Sequence, residues 1–103
     1  MSEIKRVSVA ARASRAVIYN GMVFVGGQAA DDRSQDVQGQ TRQALAKIEQ
    51  FLAAAGTDKS QLLSAQIWLK DITRDFAAMN QGWDAWTAPN AAPTRSKHPR
   101  PGS

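Results

Sequence analysis

Apolar and polar residues change rhythm along this chain, and each rhythm predicts an element. Ile4, Arg6 and Ser8 alternate with Lys5, Val7 and Val9, which predicts a first strand over Ile4–Val9. Arg15–Tyr19 and Met22–Val25, both rich in β-branched and aromatic residues, flank Asn20-Gly21. Asn-Gly supplies the two positive-φ residues of a type I′ turn, so this stretch predicts a β-hairpin. The second hairpin strand ends at Gly26-Gly27-Gln28, where glycines suit a bulge or a close backbone approach. Residues 31–36 read as a loop. From Val37 the period lengthens: Thr41, Ala44, Leu45, Ile48, Phe51, Leu52 and Ala55 mark one face of a helix that Gly56 stops.

A short turn over 57–61 leads to a strand, Leu63–Leu69, with Ala65, Ile67 and Leu69 facing one way and Ser64, Gln66 and Trp68 the other. After Asp71, either Thr73 or Asp75 is expected to cap a second helix. Phe76, Met79, Asn80, Trp83 and Trp86 give that helix a broad aromatic face, and Pro89 and Pro93 end it. The order β-β-β-α-β-α reads as a single α+β domain with no repeat and no internal linker. A sheet roofed by two helices normally receives the chain back as further strands. Here Arg95 stands where such a strand would open, but Pro99 and Pro101 argue against regular pairing. The expectation is a domain over residues 1–95, incomplete at its C-terminal side, and an unstructured basic tail over 96–103.

Composition narrows the chemistry. With 43% apolar and 21% charged residues in 103, the chain is an ordinary soluble domain with a modest core. There is no cysteine, which excludes disulfides, thiolate catalysis and thiolate metal sites. The single histidine, His98, falls in the expected tail, so the folded part offers no Ser-His pair. No apolar run reaches spanning length and no leader pattern is visible, so no membrane is expected and the cytoplasm is the default location. The net charge of +4 sits at the ends: residues 1–16 balance at +3, residues 95–103 at +3, and the middle at −2. With no recognition helix or stacking aromatics beside it, this excess argues against a nucleic-acid partner.

Arg95 is the strongest candidate for holding a substrate carboxylate. Asn80 is the second candidate, an amide on an apolar helix face that must find partners. Asp31, Asp32 and Asp36 match no calcium-loop spacing and read as capping and solubilising residues, so no metal is expected. Trp83 and Trp86 read as core rather than as a ligand platform. Gly26-Gly27-Gln28 is also the tripeptide with which ribosome-rescue factors release peptides. That reading is remote, because the tripeptide directly continues the strand Val23-Phe24-Val25.

Taken together, these segments resemble the RidA/YjgF family of reactive-intermediate deaminases. The resemblance is carried by Val23–Gln28, Gln40–Leu45 with Ile48, Ala54-Ala55-Gly56, Ile67–Asp71, Asp75–Asn80, Trp83-Asp84-Ala85-Trp86 and Ala92–Ser96. It runs from about residue 6 to residue 96 in order, and is nearest to the branch with the Trp-Asp-Ala-Trp helix. It implies a chorismate-mutase-like sandwich, a mixed sheet with two helices on one face, assembling as a homotrimer with sites between subunits. The implied activity is hydrolysis of 2-imino acids, or the enamines that give rise to them, to 2-oxo acids and ammonia, with no cofactor. Arg95 would then bind the carboxylate through two parallel charge-assisted hydrogen bonds and fix the imine carbon for attack by water.

Ala13 stands where many members have a cleft tyrosine, and Gly26 where they have a serine. The family's last two strands, with an acidic residue that helps to hold the water, have no counterpart after Ser96. A frameshift, a premature stop or a naturally shortened variant would each leave this pattern, and the expectation is a deaminase whose turnover the shortening can impair. The alternative function is a non-catalytic trimer in which Arg95 and the backbone amides near Gly26 and Gly27 hold small carboxylates such as 2-oxo acids.

Overall fold

A computed structural model describes residues 3–100. β1 (Lys5–Val9), β2 (Ser14–Tyr19) and β3 (Met22–Val25) form an antiparallel meander; α1 (Val37–Ala54), β4 (Ser64–Leu69), α2 (Ile72–Trp86) and β5 (Thr94–Pro99) follow. Asn20 and Gly21 take φ of 53° and 76°, so the hairpin turn forms as its two residues dictate. The register pairs Tyr19 with Met22 and Val17 with Phe24. Ala16, Ile18, Val23 and Val25 thereby share one face. Val17, Tyr19, Met22 and Phe24 share the other, on which Tyr19, Met22 and Phe24 are exposed.

α1 begins where Asp36 accepts a hydrogen bond from Gly39 N at 2.7 Å. It ends in a Schellman arrangement, with Gly56 at φ 86°, Gly56 N donating to Ala53 O and Thr57 N to Leu52 O. α2 is capped two residues before Thr73 and four before Asp75, the two expected caps. Asp71, not Thr73 or Asp75, holds the extended cap conformation and accepts from Arg74 N at 3.0 Å. Asp75 is buried in the first turn instead, where it receives the Arg74 Nε at 2.9 Å. The aromatic face of α2 packs as its spacing dictates: Met79, only 1% exposed, joins Trp83, Leu45 and Leu69 in the core, with Phe76, Trp86, Ile48, Ala65 and Ile67 around them.

The expected mixture of strand directions is present, but divided between two sheets. β1-β2-β3 is antiparallel, whereas β4 pairs with β5 in parallel. β5 corrects the expectation of an unstructured tail from Ser96: the chain stays paired through Pro99, so the boundary drawn at residue 95 falls inside a strand, while Pro101 lies outside the described residues. Parity explains how Pro99 is tolerated. Thr94 N and Arg100 N donate to Leu63 O and Leu69 O, so even-numbered residues of β5 turn their N–H groups to β4. Pro99 has the opposite parity and faces the open edge, where its missing N–H removes no ladder bond. Among the described residues, no helix is long and apolar enough to cross a membrane.

Candidate functional site

Strand parity also sets where Arg95 points. Arg95 pairs with Ala65 and Lys97 with Ile67, and both partners pack against the core, so the two cations share the helix-facing side of β5. There the Arg95 guanidinium lies 5.2 Å from the Trp83 ring centre and 5.7 Å from that of Phe76. Lys97 Nζ approaches the Phe76 ring at 3.4 Å. These are cation–π distances, and they hold two positive charges over a hydrophobic stripe that would otherwise be bare. Inward-pointing charges also discourage pairing by other chains at an exposed edge strand.

Arg95 makes no ion pair with a carboxylate of the described residues; the ion pairs there join Lys47 to Asp31, Lys59 to Glu49 and Arg74 to Asp75. With its Cζ beside two rings and no carboxylate partner among the described residues, the guanidinium has N–H groups to offer a ligand. Arg95 also lines a shallow cavity of about 210 Å³ with Ser64, Ala65, Gln66, Thr94 and Ser96. At roughly 30 Å³ per water, that space holds about seven waters, the scale of a three- or four-carbon acid.

Asn80 joins the same stripe, since positions 76, 80 and 83 are neighbours on one helix face. Its Oδ1 is buried and meets no donor among the described residues. Gly26 and Gly27, at the end of β3, line neither this cavity nor the larger one described below. Gly26 N donates to Arg15 O at 2.9 Å, continuing the hairpin ladder. The expected close approach is absent: a Cβ at Gly26 would touch Arg15 O at an ordinary 3.5 Å, and one at Gly27 would meet nothing.

The three loop aspartates take separate tasks. Asp31 pairs with Lys47 at 2.6 Å, Asp36 caps α1, and Asp32 accepts from Ser34 and Gln35, which holds its carboxyl below the usual carboxylate range. Sequence reasoning missed the part of Lys97 and of the Phe76–Trp83 platform. The available signal was the Arg95-x-Lys97 spacing, which at strand period puts both charges on one face. A larger open groove of about 620 Å³ lies along α1 and α2, lined by residues including Arg42, Lys59 and Trp86, and shares no residue with the Arg95 cavity.

The endoribonuclease L-PSP family model matches residues 3–99. A RutC family protein of Haemophilus ducreyi is 43% identical over 93 residues, covering 90% of this chain and 79% of its own length. The RutC family protein YoaB of Escherichia coli is 40% identical over 92 residues, with 89% and 79% covered. A member of the YjgF protein family from Neisseria meningitidis superposes with a TM-score of 0.90 at 35% identity, covering 98% of this chain and 84% of that one. The likeness carries the expected chorismate-mutase-like α+β fold with it. On sequence and fold alike, the chain belongs to the RutC/YjgF family, the RidA-type proteins that the L-PSP model describes.

Proposed function

We propose that this protein hydrolyses small 2-imino acids, and the enamines that tautomerise to them, to 2-oxo acids and ammonia, acting as a cytoplasmic homotrimer. The observation that carries this reading is Arg95: a guanidinium held over Trp83 and Phe76, unpaired with any described carboxylate and lining a cavity of small-acid size. Its fork would take the substrate carboxylate through two N–H···O bonds. Water then adds to the C=N carbon, a proton moves to nitrogen, and the carbinolamine collapses to the C=O of the 2-oxo acid with release of ammonia. Asn80 Oδ1 is a buried acceptor on the helix face of Phe76 and Trp83, but it does not line the Arg95 cavity, so it would receive an N–H of the imine or an O–H of the water only where the ligand reaches past that lining. At Gly27 a side chain would meet nothing among the described residues, which leaves room there for a ligand or a second copy, whereas the Gly26 N–H is already given to Arg15 O.

The test generates an imine in situ with an amino-acid oxidase or threonine dehydratase and follows ammonia release. The protein should accelerate release, and Arg95→Ala should abolish the effect with an unchanged far-UV circular dichroism spectrum. Arg95→Lys keeps the charge but loses the fork, and should raise KM more than it lowers kcat. Equal turnover by wild type and Arg95→Ala would remove Arg95 from the mechanism.

One observation favours the carboxylate-binding alternative. No Asp or Glu lines the Arg95 cavity, so no carboxylate there serves as a base for water. Under that reading, calorimetry shows Arg95-dependent binding of 2-oxo acids and the ammonia assay stays flat.

A further inference from the structure

Phe76 has two cations beside one ring. Lys97 Nζ lies 3.4 Å from the ring centre and Arg95 Cζ lies 5.7 Å from the same point. The two charges therefore stand no farther apart than those distances laid end to end. The strand repeat sets the same scale, since residues i and i+2 recur at about 6.6 Å. Both side chains are exposed, and neither meets a carboxylate among the ion pairs of the described residues. The acid next to the ring in sequence, Asp75, is buried and accepts from Arg74 Nε and Nη2. Ser96 and His98 have the opposite parity, and His98 stacks on Trp68 with ring centres 4.3 Å apart.

A ring attracts each cation without neutralising it, so two like charges remain side by side. One carboxylate answers one of them. Lys97 also stands outside the lining of the Arg95 cavity, one strand repeat further along β5. A short monoacid held by Arg95 therefore has nothing to offer Lys97, whereas a diacid does. With C–C bonds of about 1.5 Å, the carboxylate carbons of a four- or five-carbon diacid lie about 4–5 Å apart. Charge-assisted hydrogen bonds of about 2.8 Å at each end then span two cations at the strand repeat.

We propose that Lys97 is a specificity-determining residue that reads a second carboxylate. The preferred substrates are then four- and five-carbon 2-imino acids with a carboxylate at each end. This assignment rests on the reading of Arg95 as the residue that holds the carboxylate beside the C=N carbon. Lys97 holds the distal carboxylate, which takes no part in the bond changes. Water still adds to the C=N carbon and ammonia still leaves, so the product is a 2-oxo diacid.

The experiment compares length-matched acids that differ only at the far end. Calorimetry measures 2-oxoglutarate against 2-oxopentanoate, and oxaloacetate against 2-oxobutanoate. The ammonia assay compares imines made by an amino-acid oxidase from glutamate and from norvaline. The diacid should be preferred by about fivefold or more at low salt, the upper end for an exposed ion pair. That ratio should fall to about one in Lys97→Gln and return in Lys97→Arg. It should also shrink as salt rises from about 0.01 to 1 M, where the screening length drops from about 30 to 3 Å. A purely structural Lys97 would shift both acids of a pair equally and leave the ratio unmoved. A wild-type ratio near one, or the same ratio in Lys97→Gln, overturns the proposal; Arg95 keeps its role if Arg95→Ala still abolishes binding of both acids. Binding that ignores Arg95 overturns both readings. A binding preference that persists without turnover removes the imine chemistry and upholds Lys97 as the reader of the second carboxylate.

Discussion

Gly82→Ala sets helix propensity against packing, and the structure decides the sign. At an open helix position alanine is favoured over glycine by about 1 kcal/mol. Gly82 is not open: a Cβ there would meet Thr41 Cγ2 at 3.0 Å, Thr41 Cβ at 3.1 Å and Gln38 O at 3.2 Å, all on α1. The glycine thus sets how closely the helices approach. Gln38 O is backbone, and Thr41 is tethered because its Oγ1 donates to Val37 O at 2.7 Å, so neither yields without moving the helix. Overpacking of this kind costs about 1–3 kcal/mol, which outweighs the propensity gain and leaves a net loss near 1 kcal/mol. For a domain of this size, Tm should fall by about 4–8 °C. Thr41→Ser removes the nearest methyl and keeps the hydroxyl, so Gly82→Ala should cost less in that background, with a coupling of about 0.5–1 kcal/mol. Thermal denaturation of the four proteins, followed by circular dichroism, measures both quantities. A rise in Tm for Gly82→Ala, or the same loss in both backgrounds, would show that Gly82 does not set the helix spacing.

Two further substitutions probe the helix starts. Asp36→Ala removes the acceptor for Gly39 N and should cost about 1 kcal/mol in urea denaturation, whereas Asp36→Ser should restore most of it. The hydrogen bond and charge of Arg74 hold the Asp75 carboxyl below its ordinary 3.8. A depressed carboxylate stabilises the fold above its unfolded pKa and loses that contribution as pH falls through the lower folded value. The Tm difference between wild type and Asp75→Asn should therefore be constant near neutrality and shrink below about pH 4; a difference that persists unchanged into acid would refute the pairing.

The sequence disclosed what short-range chemistry controls and concealed what depends on strand pairing. Asn20-Gly21 dictates its own turn, and the apolar spacing of α1 and α2 dictates which faces are buried. The start of α2 was less legible because Asp71, Thr73 and Asp75 are all capping types. Only the backbone conformation at Asp71 selects among them. Pro99 was misleading for a related reason. A proline forbids a strand only if its nitrogen faces a partner, and that parity is set by β4, thirty residues earlier in the register (Ser64 with Thr94). The candidate site divides along the same line. Arg95 and Asn80 were visible as residue types in improbable places, while the ring platform under Arg95 depends on which way β5 faces.

The thin burial of β5 has a consequence for ligand affinity. Every residue of that strand except His98 is exposed, and the pairing that holds it closes a loop of about thirty residues. Segments with little buried surface open locally at small free-energy cost, so β5, which carries Arg95, is expected to undock before the rest of the domain unfolds. Any acid that grips Arg95 in its stacked position binds only the docked state. Its apparent dissociation constant is then the intrinsic one divided by the docked fraction, roughly doubled if β5 is docked half of the time. The linkage runs in both directions: ligand at about one hundred times its dissociation constant adds about 2.7 kcal/mol to the docking of β5. Substitutions that do no more than tighten the strand should therefore sharpen binding without touching a single ligand contact.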